Sequence, residues 1–505
     1  MTGIQKLKPF INGNYAETAA ASYTDVFDPS TGEVIAQAPC CTKEELERAV
    51  AAAKAAYPAW RDTPAHKRAQ HFFRLRNLIE QNLEQLTYMV ARENGKAWKE
   101  AEGDVLKAME MTEIACGIPS QLMGESLMNV STGYDTTLYR EPLGVFVGIA
   151  PWNFPAMIPV GWMSPLAIAC GNTYVLKCAS ATCMTALRIA QLYREAGFPD
   201  GVLNVVTCAN DVAEVLVTHP DVKGITFVGS TKVGRHVYAK AAEAGKRVQA
   251  LCQAKNHALV LKDAPITRTA ASIMNSVYGC AGERCMALSV VVVEEEIADK
   301  LIAELIRLCA AQKIGPAYDK STNLGPVVTA AHKQLILDRI ERGLEEGAKL
   351  VLDGRNCTVK GKENGFYLGH TILDHVQPDM VVGNEEIFGP VLCVKRVKNF
   401  EEGLTLMNAN PYANGSIIFT QNGYYAREFV ARTDGGMVGV NVGIPVPVGI
   451  FPFSGHKNSF FGDLHCHGKD AFRFFTESKT VTTCWFDEEE MKKESVSTWD
   501  GSLAR

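Results

Sequence analysis

The chain is predicted to fold as an α/β protein, with a doubly wound parallel sheet followed by a second α/β unit. Three observations lead there. Between residues 144 and 228, continuous apolar runs of buried-strand type alternate with helical patterns, as parallel strands with crossover helices require. A second alternation of the same kind runs from about residue 258 to 445. Finally, 505 residues exceed the roughly 250–300 that one hydrophobic core supports.

The elements follow in order. Residues 7–36 read as short strands and turns, with Pro9-Phe10-Ile11-Asn12-Gly13 and Asp28-Pro29-Ser30-Thr31-Gly32 as the turn-rich segments. Thr42-Lys43-Glu44-Glu45 is a capping-box start, and it opens an Ala-rich helix to about Trp60. Helical periodicity continues over 65–93 and from about 97 to 116. The run 144–150 is a buried strand, followed by a helical segment and a second strand at 172–177. A helix over roughly 181–196 stops at Gly197, with Pro199 beyond it. Strands return at 202–206 and 224–228, and a last strand signal at 479–486 precedes a charged tail.

Composition excludes several classes. Apolar residues make up 47% and charged residues 21%, near the averages for globular chains and far from those of disordered ones. Lys plus Arg number 51 against 56 Asp plus Glu, a net charge of −5, so there is no basic excess for nucleic acid. The start, Met1 to Lys8, lacks a signal core, and no apolar run reaches the ~20 residues of a membrane span. A cytoplasmic protein without nucleic-acid or membrane partners is expected. The 15 cysteines are odd in number and scattered, which predicts reduced, buried thiols. No CxxC or HExxH occurs, so no metal site is expected.

Three segments carry candidate chemistry. Gly229-Ser230-Thr231-Lys232-Val233-Gly234 follows a strand and opens a helix, presenting backbone N–H groups to an anion such as a pyrophosphate. Taken alone it is equally an ordinary strand-to-helix turn. Cys285, in Cys280-Ala281-Gly282-Glu283-Arg284-Cys285-Met286, is a candidate nucleophile, with Arg284 as a cation that favours its thiolate. A single cysteine among fifteen is otherwise a packing residue. Asn153, in Pro151-Trp152-Asn153-Phe154-Pro155 at a strand end, can donate to a developing oxyanion or simply satisfy a turn.

Taken together with Lys177, Phe227-Val228-Gly229-Ser230-Thr231, Glu385-Glu386-Ile387-Phe388-Gly389-Pro390 and Pro452-Phe453-Ser454-Gly455-His456-Lys457-Asn458-Ser459, these segments occur in a fixed order. In that order the chain resembles the aldehyde dehydrogenase superfamily over about residues 8–487. Lys255-Asn256-His257, Arg284-Cys285-Met286-Ala287-Leu288-Ser289, Glu102-Gly103-Asp104-Val105 and Ser459-Phe460-Phe461-Gly462-Asp463 are similar to the CoA-acylating methylmalonate-semialdehyde dehydrogenase branch.

The resemblance implies a dinucleotide-binding domain (1–130 and 149–251), a catalytic domain (252–445), an oligomerisation β-flap (131–148 and 470–487) and a tail (488–505). It implies that Cys285 attacks an aldehyde to give a thiohemiacetal and then a thioester, with Asn153 and the Cys285 backbone N–H holding the oxyanion. Lys177 and Ser180 would meet the adenosine ribose of NAD, Gly229 and Ser230 the pyrophosphate, and Glu386 the nicotinamide ribose. Phe388 would pack beside the nicotinamide, and Trp152 and Phe154 would also bind the cofactor. Arg284 and Lys107 would hold the substrate carboxylate. In relatives the flap joins subunits, so a homodimer or homotetramer is expected.

Departures from the family pattern sharpen the reading. Hydrolytic relatives carry a glutamate base where this chain has Leu251, in Leu251-Cys252-Gln253-Ala254-Lys255, and leucine cannot accept a proton. Transfer of the acyl group to CoA is therefore expected over hydrolysis. Lys107 stands where the branch has an arginine, keeping the charge but losing the bidentate fork. The substrate is thus an anionic aldehyde: malonate or methylmalonate semialdehyde, another short acid, or a sulfonated aldehyde. Ser180 replaces a glutamate that bonds the adenosine 2′-hydroxyl, which admits NADP beside NAD. The stretch from Pro155 to Gly171 is one residue longer than usual, leaving the placement of Trp162 open. Two other readings remain: a hydrolytic enzyme with another base, and a non-catalytic protein on the same fold.

Overall fold

The computed structural model describes residues 4–131 and 133–492. Residues 1–3, Thr132 and residues 493–505, most of the expected tail, lie outside the described residues. The N-terminal part contributes four helices: α1 (Lys43–Asp62), α2 (Ala65–Gln81), α3 (Leu83–Asn94) and α4 (Trp98–Cys116). The capping box at the start of α1 is formed: Thr42 N donates to Glu45 Oε2 at 2.8 Å and Glu45 N donates to Thr42 Oγ1 at 3.4 Å. The single pattern expected over 65–93 is two helices, broken at Asn82, whose side-chain amide donates back to the Leu78 carbonyl at 2.8 Å.

The first large sheet has eight strands. Its parallel centre runs in the order Arg247–Leu251, Val222–Val228, Val145–Ile149, Thr173–Lys177, Leu203–Val206. The chain therefore winds outward one way from Val145–Ile149 and then returns to its other side with Val222–Val228. Strand order reverses between these two neighbours, and the crevice beyond their carboxyl ends is where a doubly wound sheet takes its ligand. Residues 145–149 and 173–177 are buried throughout, as expected for strands covered on both faces. The second sheet has seven strands, with Asn256–Val260 and Leu288–Glu294 paired in parallel at its centre.

A third sheet holds Thr476–Cys484, Tyr134–Pro142 and Ser126–Ser131, all antiparallel. Its first strand starts earlier than the flap boundary expected at residue 131, because Ser126–Ser131 is exposed along its whole length and has no buried-strand signature. Conversely, Val145–Ile149 belongs to the eight-stranded sheet, and Gly468–Phe474 is a helix.

The helical segment expected after Pro155 takes an unusual form. Met157–Met163 is a π-helix, followed by a short α-helix over Pro165–Ala169. A π-turn absorbs one extra residue into a helical path. At its centre, a Cβ on Gly161 would come within 2.9 Å of the Ala108 Cα in α4. The wide turn is pressed against α4, and only glycine fits there.

Candidate active site

Two cavities meet at Cys285. The first, of about 170 Å³, lies at the crevice between the two sheets and is lined by Trp152, Asn153, Gly229, Ser230, Glu386 and Phe388 among others. The second, of about 380 Å³, is lined by Glu100, Lys107, Phe154, Trp162, Arg284 and Phe453 among others. Cys285 lines both.

The nucleophile candidate is presented by a strained loop. Cys280 (φ 51°), Ala281 (φ 52°) and Gly282 (φ 75°) are three consecutive left-handed residues, a conformation non-glycine residues rarely adopt. A Cβ on Gly282 would collide with the Gly389 carbonyl oxygen. Glu283 is buried, and its Oε1 accepts from Val328 N at 3.0 Å. Burial first, and the Glu386 carboxylate next, push the Cys285 thiol up to about 12.

Arg284 is anchored by three neighbours. Its guanidinium pairs with Glu100, donates from Nε to Cys280 Sγ at 3.2 Å, and donates from Nη1 to the Asn275 carbonyl at 3.3 Å. Arg284 thus acts in the expected direction on the Cys285 thiol, and burial together with Glu386 outweighs it. Lys107 is likewise held, by Glu110 at 2.7 Å.

Asn153 is buried, and its Nδ2 donates to the Glu283 carbonyl at 3.0 Å. An amide nitrogen carries two protons, so one N–H remains. Trp152 packs its ring perpendicular to Phe388, centroids 5.4 Å apart, and its carbonyl accepts from Asn94 Nδ2 at 3.1 Å and Thr182 Oγ1 at 3.0 Å. Phe388 has φ 59°, strained for an aromatic residue, and His332 Nε2 lies 2.7 Å from its carbonyl oxygen. Phe154, expected to bind the cofactor, lines the second cavity and not the first, with the Lys96 ammonium 3.4 Å above its ring. Its backbone has passed beyond the strand end and turned towards α4.

Ser230 is the N-cap of the helix Thr231–Glu243, its Oγ accepting from Val233 N at 3.5 Å. Gly229 precedes it, with its N donating to the Leu251 carbonyl at 3.1 Å. Lys177 ends its strand, is 8% exposed, and has no ion pair or hydrogen-bond partner for its ammonium among the described residues. Ser180 opens the 3₁₀ turn Ser180–Thr182 that follows. Glu386 Oε1 accepts from Ala254 N at 3.2 Å, and burial lifts its carboxyl to about 7.

Leu251 is buried at the end of its strand, in register with Val228 on one side and Phe460 on the other. The lining carboxylates of the two cavities, among the described residues, are Glu386, Glu100 and Asp104. Glu100 is paired with Arg284, and Asp104 with Lys96 at 2.9 Å.

Comparison with known proteins agrees with this arrangement. The family model described as the aldehyde dehydrogenase family matches residues 15–481. The chain belongs to the aldehyde dehydrogenase family. It is 48% identical to malonate-semialdehyde dehydrogenase 2 of Geobacillus kaustophilus, over 96% of this chain and 100% of that protein. A crystal structure of methylmalonate-semialdehyde dehydrogenase from Oceanimonas doudoroffii superposes with a TM-score of 0.94 at 41% identity, covering 96% of this chain and 99% of that one. A protein assigned as methylmalonate-semialdehyde dehydrogenase from Sinorhizobium meliloti 1021, complexed with NAD, matches with a TM-score of 0.94 at 42% identity, covering 96% and 99%.

Some features of this aldehyde dehydrogenase had no signal in its sequence. Glu100 lies 184 positions from Arg284, and nothing local announces their pairing. The buried Lys96–Asp104 pair likewise has no local signal; the other Asp104 oxygen, Oδ1, accepts from Met157 N at 2.7 Å and so anchors the π-helix to α4. All 15 cysteines are free, including Cys252 and Cys280. Among the described residues no cluster of side chains could hold a metal ion, and no helix is long and apolar enough to cross a membrane.

Proposed function

We propose that this enzyme oxidises a short anionic aldehyde of the malonate-semialdehyde type and passes the acyl group to CoA. The observation that carries the reading is Leu251: a buried leucine stands at the strand end where hydrolytic relatives carry their base. The thiolate of Cys285 adds to the aldehyde carbon, and the oxyanion so formed accepts from the free N–H of Asn153 Nδ2 and from the Cys285 backbone N–H. Departure of hydride from the thiohemiacetal leaves a thioester on Cys285. The CoA thiolate then attacks the thioester carbonyl, the C–S bond to Cys285 breaks, and Cys285 leaves as thiolate. No base is needed for that attack, in keeping with Leu251.

The first cavity suits the nicotinamide end of a dinucleotide, whose adenosine end would extend beyond it towards Lys177 and Ser180. It sits at the strand-order reversal, Gly229 and Ser230 bring a helix N-terminus to it, and the Lys177 ammonium has donors without partners. Bound there, the dinucleotide supplies the hydride acceptor. Lys177 and Ser180 then face the adenosine ribose, Glu386 the nicotinamide ribose, and Trp152 with Phe388 flank the nicotinamide. NAD is the preferred form, as in the NAD-complexed relative, and the missing carboxylate at Ser180 admits NADP. Arg284 and Lys107 line the second cavity and are the cations that would meet an anionic substrate there, each now paired with a carboxylate, Glu100 and Glu110.

The proposed division places cofactor binding in the eight-stranded sheet, the nucleophile in the seven-stranded one, and assembly in the third sheet. That third sheet exposes Leu127, Met128, Val130, Tyr139 and Val481, and Thr476–Cys484 forms one of its edges. An exposed apolar face with an open edge favours pairing with a second copy, which supports a homodimer or homotetramer.

A hydrolytic reading rests on Glu386, whose carboxyl stands near 7 and whose charge acts on Cys285; it would take a proton from water attacking the thioester. Following reduced nicotinamide with malonate and methylmalonate semialdehydes, with and without CoA, separates the two. CoA-dependent turnover to an acyl-CoA is the expected result. Turnover indifferent to CoA, releasing free acid, would establish hydrolysis instead. Loss of turnover in Cys285→Ser excludes a non-catalytic protein.

A further inference from the structure

The charged side chains that line the second cavity are Lys99, Glu100, Asp104, Lys107 and Arg284. All but one are matched by a counter-charge. Arg284 pairs with Glu100, Asp104 with Lys96 at 2.9 Å, and Lys107 with Glu110 at 2.7 Å. Glu110 Oε1 also accepts from Gly449 N at 3.2 Å, so the partner of Lys107 is fixed from a second side. Lys99 differs: it is exposed, and its ammonium has no ion pair or hydrogen bond among the described residues. It is the uncompensated charge of the cavity wall.

Its place on α4 points the same way. Lys99, Gly103 and Lys107 follow one another at i, i+4 spacing, so they form one stripe along the helix, and all three line the cavity. The two lysines are about 12 Å apart along the axis, at 1.5 Å per residue. Between them Gly103 is exposed, and a Cβ there would meet nothing within 4 Å. No packing contact requires a glycine, and glycine weakens a helix interior. Lys99 also opposes the helix, because a cation in the first turn faces the positive end of the dipole. Neither residue is explained by the stability of α4. Together they give the cavity a free cation beside a turn with no side chain to cover it.

We propose that Lys99, reached across the bare turn at Gly103, is a specificity-determining residue of the second cavity: it receives the anionic group of the aldehyde and favours an anionic over a neutral substrate. This rests on the anionic-aldehyde reading given above. The ligand chemistry is a carboxylate or sulfonate on a short aldehyde. Such a group meets Lys99 without displacing a protein carboxylate, whereas at Arg284 and Lys107 it competes with Glu100 and Glu110.

Lys99→Met removes the charge and keeps most of the stem, and Lys99→Arg keeps the charge. Gly103→Glu sets a carboxylate one turn from both lysines, in open space; Gly103→Gln adds the same bulk without the charge. The probes are malonate semialdehyde and propanal, its neutral counterpart of equal chain length. In Lys99→Met and Gly103→Glu, kcat/KM for malonate semialdehyde is expected to fall roughly two- to fivefold, the scale of a solvent-exposed ion pair, with propanal unchanged. Lys99→Arg and Gly103→Gln are expected to keep the wild-type ratio between the two aldehydes. Both Gly103 variants should hold or raise Tm, since each removes a helical glycine, so a loss of turnover is not a loss of fold. A wild-type ratio in Lys99→Met, or equal losses on both aldehydes, overturns the proposal. So does the same loss in Gly103→Gln as in Gly103→Glu. A wild-type enzyme that prefers propanal overturns it together with the anionic reading.

Discussion

Asn153 Nδ2 donates to the carbonyl of Glu283 at 3.0 Å, joining the end of a strand in the first sheet to the loop that carries the nucleophile before the second. The bond leaves one amide proton beside Cys285, in a cavity both residues line, and fixes the side chain that would otherwise rotate. Asn153→Ala removes the bond and the remaining donor together. We expect kcat to fall by roughly 10²–10³, the usual cost of a lost oxyanion donor. Steady-state rates at saturating aldehyde, with Tm as the folding control, test this; a change below tenfold would remove Asn153 from the oxyanion site.

Glu386 acts on Cys285 through its charge. Burial lifts its carboxyl to about 7, so it is neutral below that pH and charged above it, and the charged form opposes the thiolate. In Glu386→Gln, alkylation of Cys285 by iodoacetamide at pH 8 should rise several-fold, because a nearby negative charge is gone. Mass spectrometry of the Cys285 peptide measures it. An unchanged or slower rate would show that the two groups do not couple.

Lys96 and Asp104 are 1% and 0% exposed and 2.9 Å apart. Asp104→Asn leaves a buried ammonium without its counter-charge, at a cost of about 3–5 kcal/mol. It also weakens the acceptor that holds Met157 N. A marked drop in the denaturant midpoint is expected, together with loss of turnover from the displaced π-turn. Wild-type stability in this variant would mean that the ammonium finds another partner.

Gly161→Ala places a methyl group 2.9 Å from the Ala108 Cα, and backbone there cannot yield as a side chain tip would. Overpacking of this kind costs about 1–3 kcal/mol. Thermal unfolding should show the loss, and KM for the aldehyde should rise because Trp162 and Lys107 flank the contact. An unchanged Tm would mean that the π-turn relaxes.

Ser180→Glu restores a carboxylate where the adenosine 2′-hydroxyl is expected. An acidic residue there bonds that hydroxyl and repels a 2′-phosphate. The ratio of kcat/KM for NADP to that for NAD should fall on the order of tenfold. An unchanged ratio would place Ser180 away from the ribose.

Much of this was legible in the sequence because it is local. Thr42 and Glu45 are three residues apart, so their reciprocal cap needs nothing beyond one helical turn. The apolar run ending at Ile149 declares a strand buried on both faces wherever it lies in the chain. Cys285, Asn153, Lys177, Ser230 and Glu386 are candidates because each sits in a short motif at or near the end of such an element, and Leu251 stands out only by comparison with the family pattern.

Tertiary structure decided what depends on distant partners. Arg284 follows a strained loop beside the nucleophile, but its ion-pair partner is Glu100, which α4 brings to it from 184 positions away. Phe154 is one residue from Asn153, yet it lines the other cavity and lies against Lys96. A helical segment after Pro155 was legible in the sequence; that it forms a π-turn, with Gly161 against Ala108 and Trp162 on the cavity wall, belongs to its close packing on α4. Periodicity and capping act over one or two turns of chain, whereas the charge and polarity of a buried side chain are settled by whatever the fold sets against it.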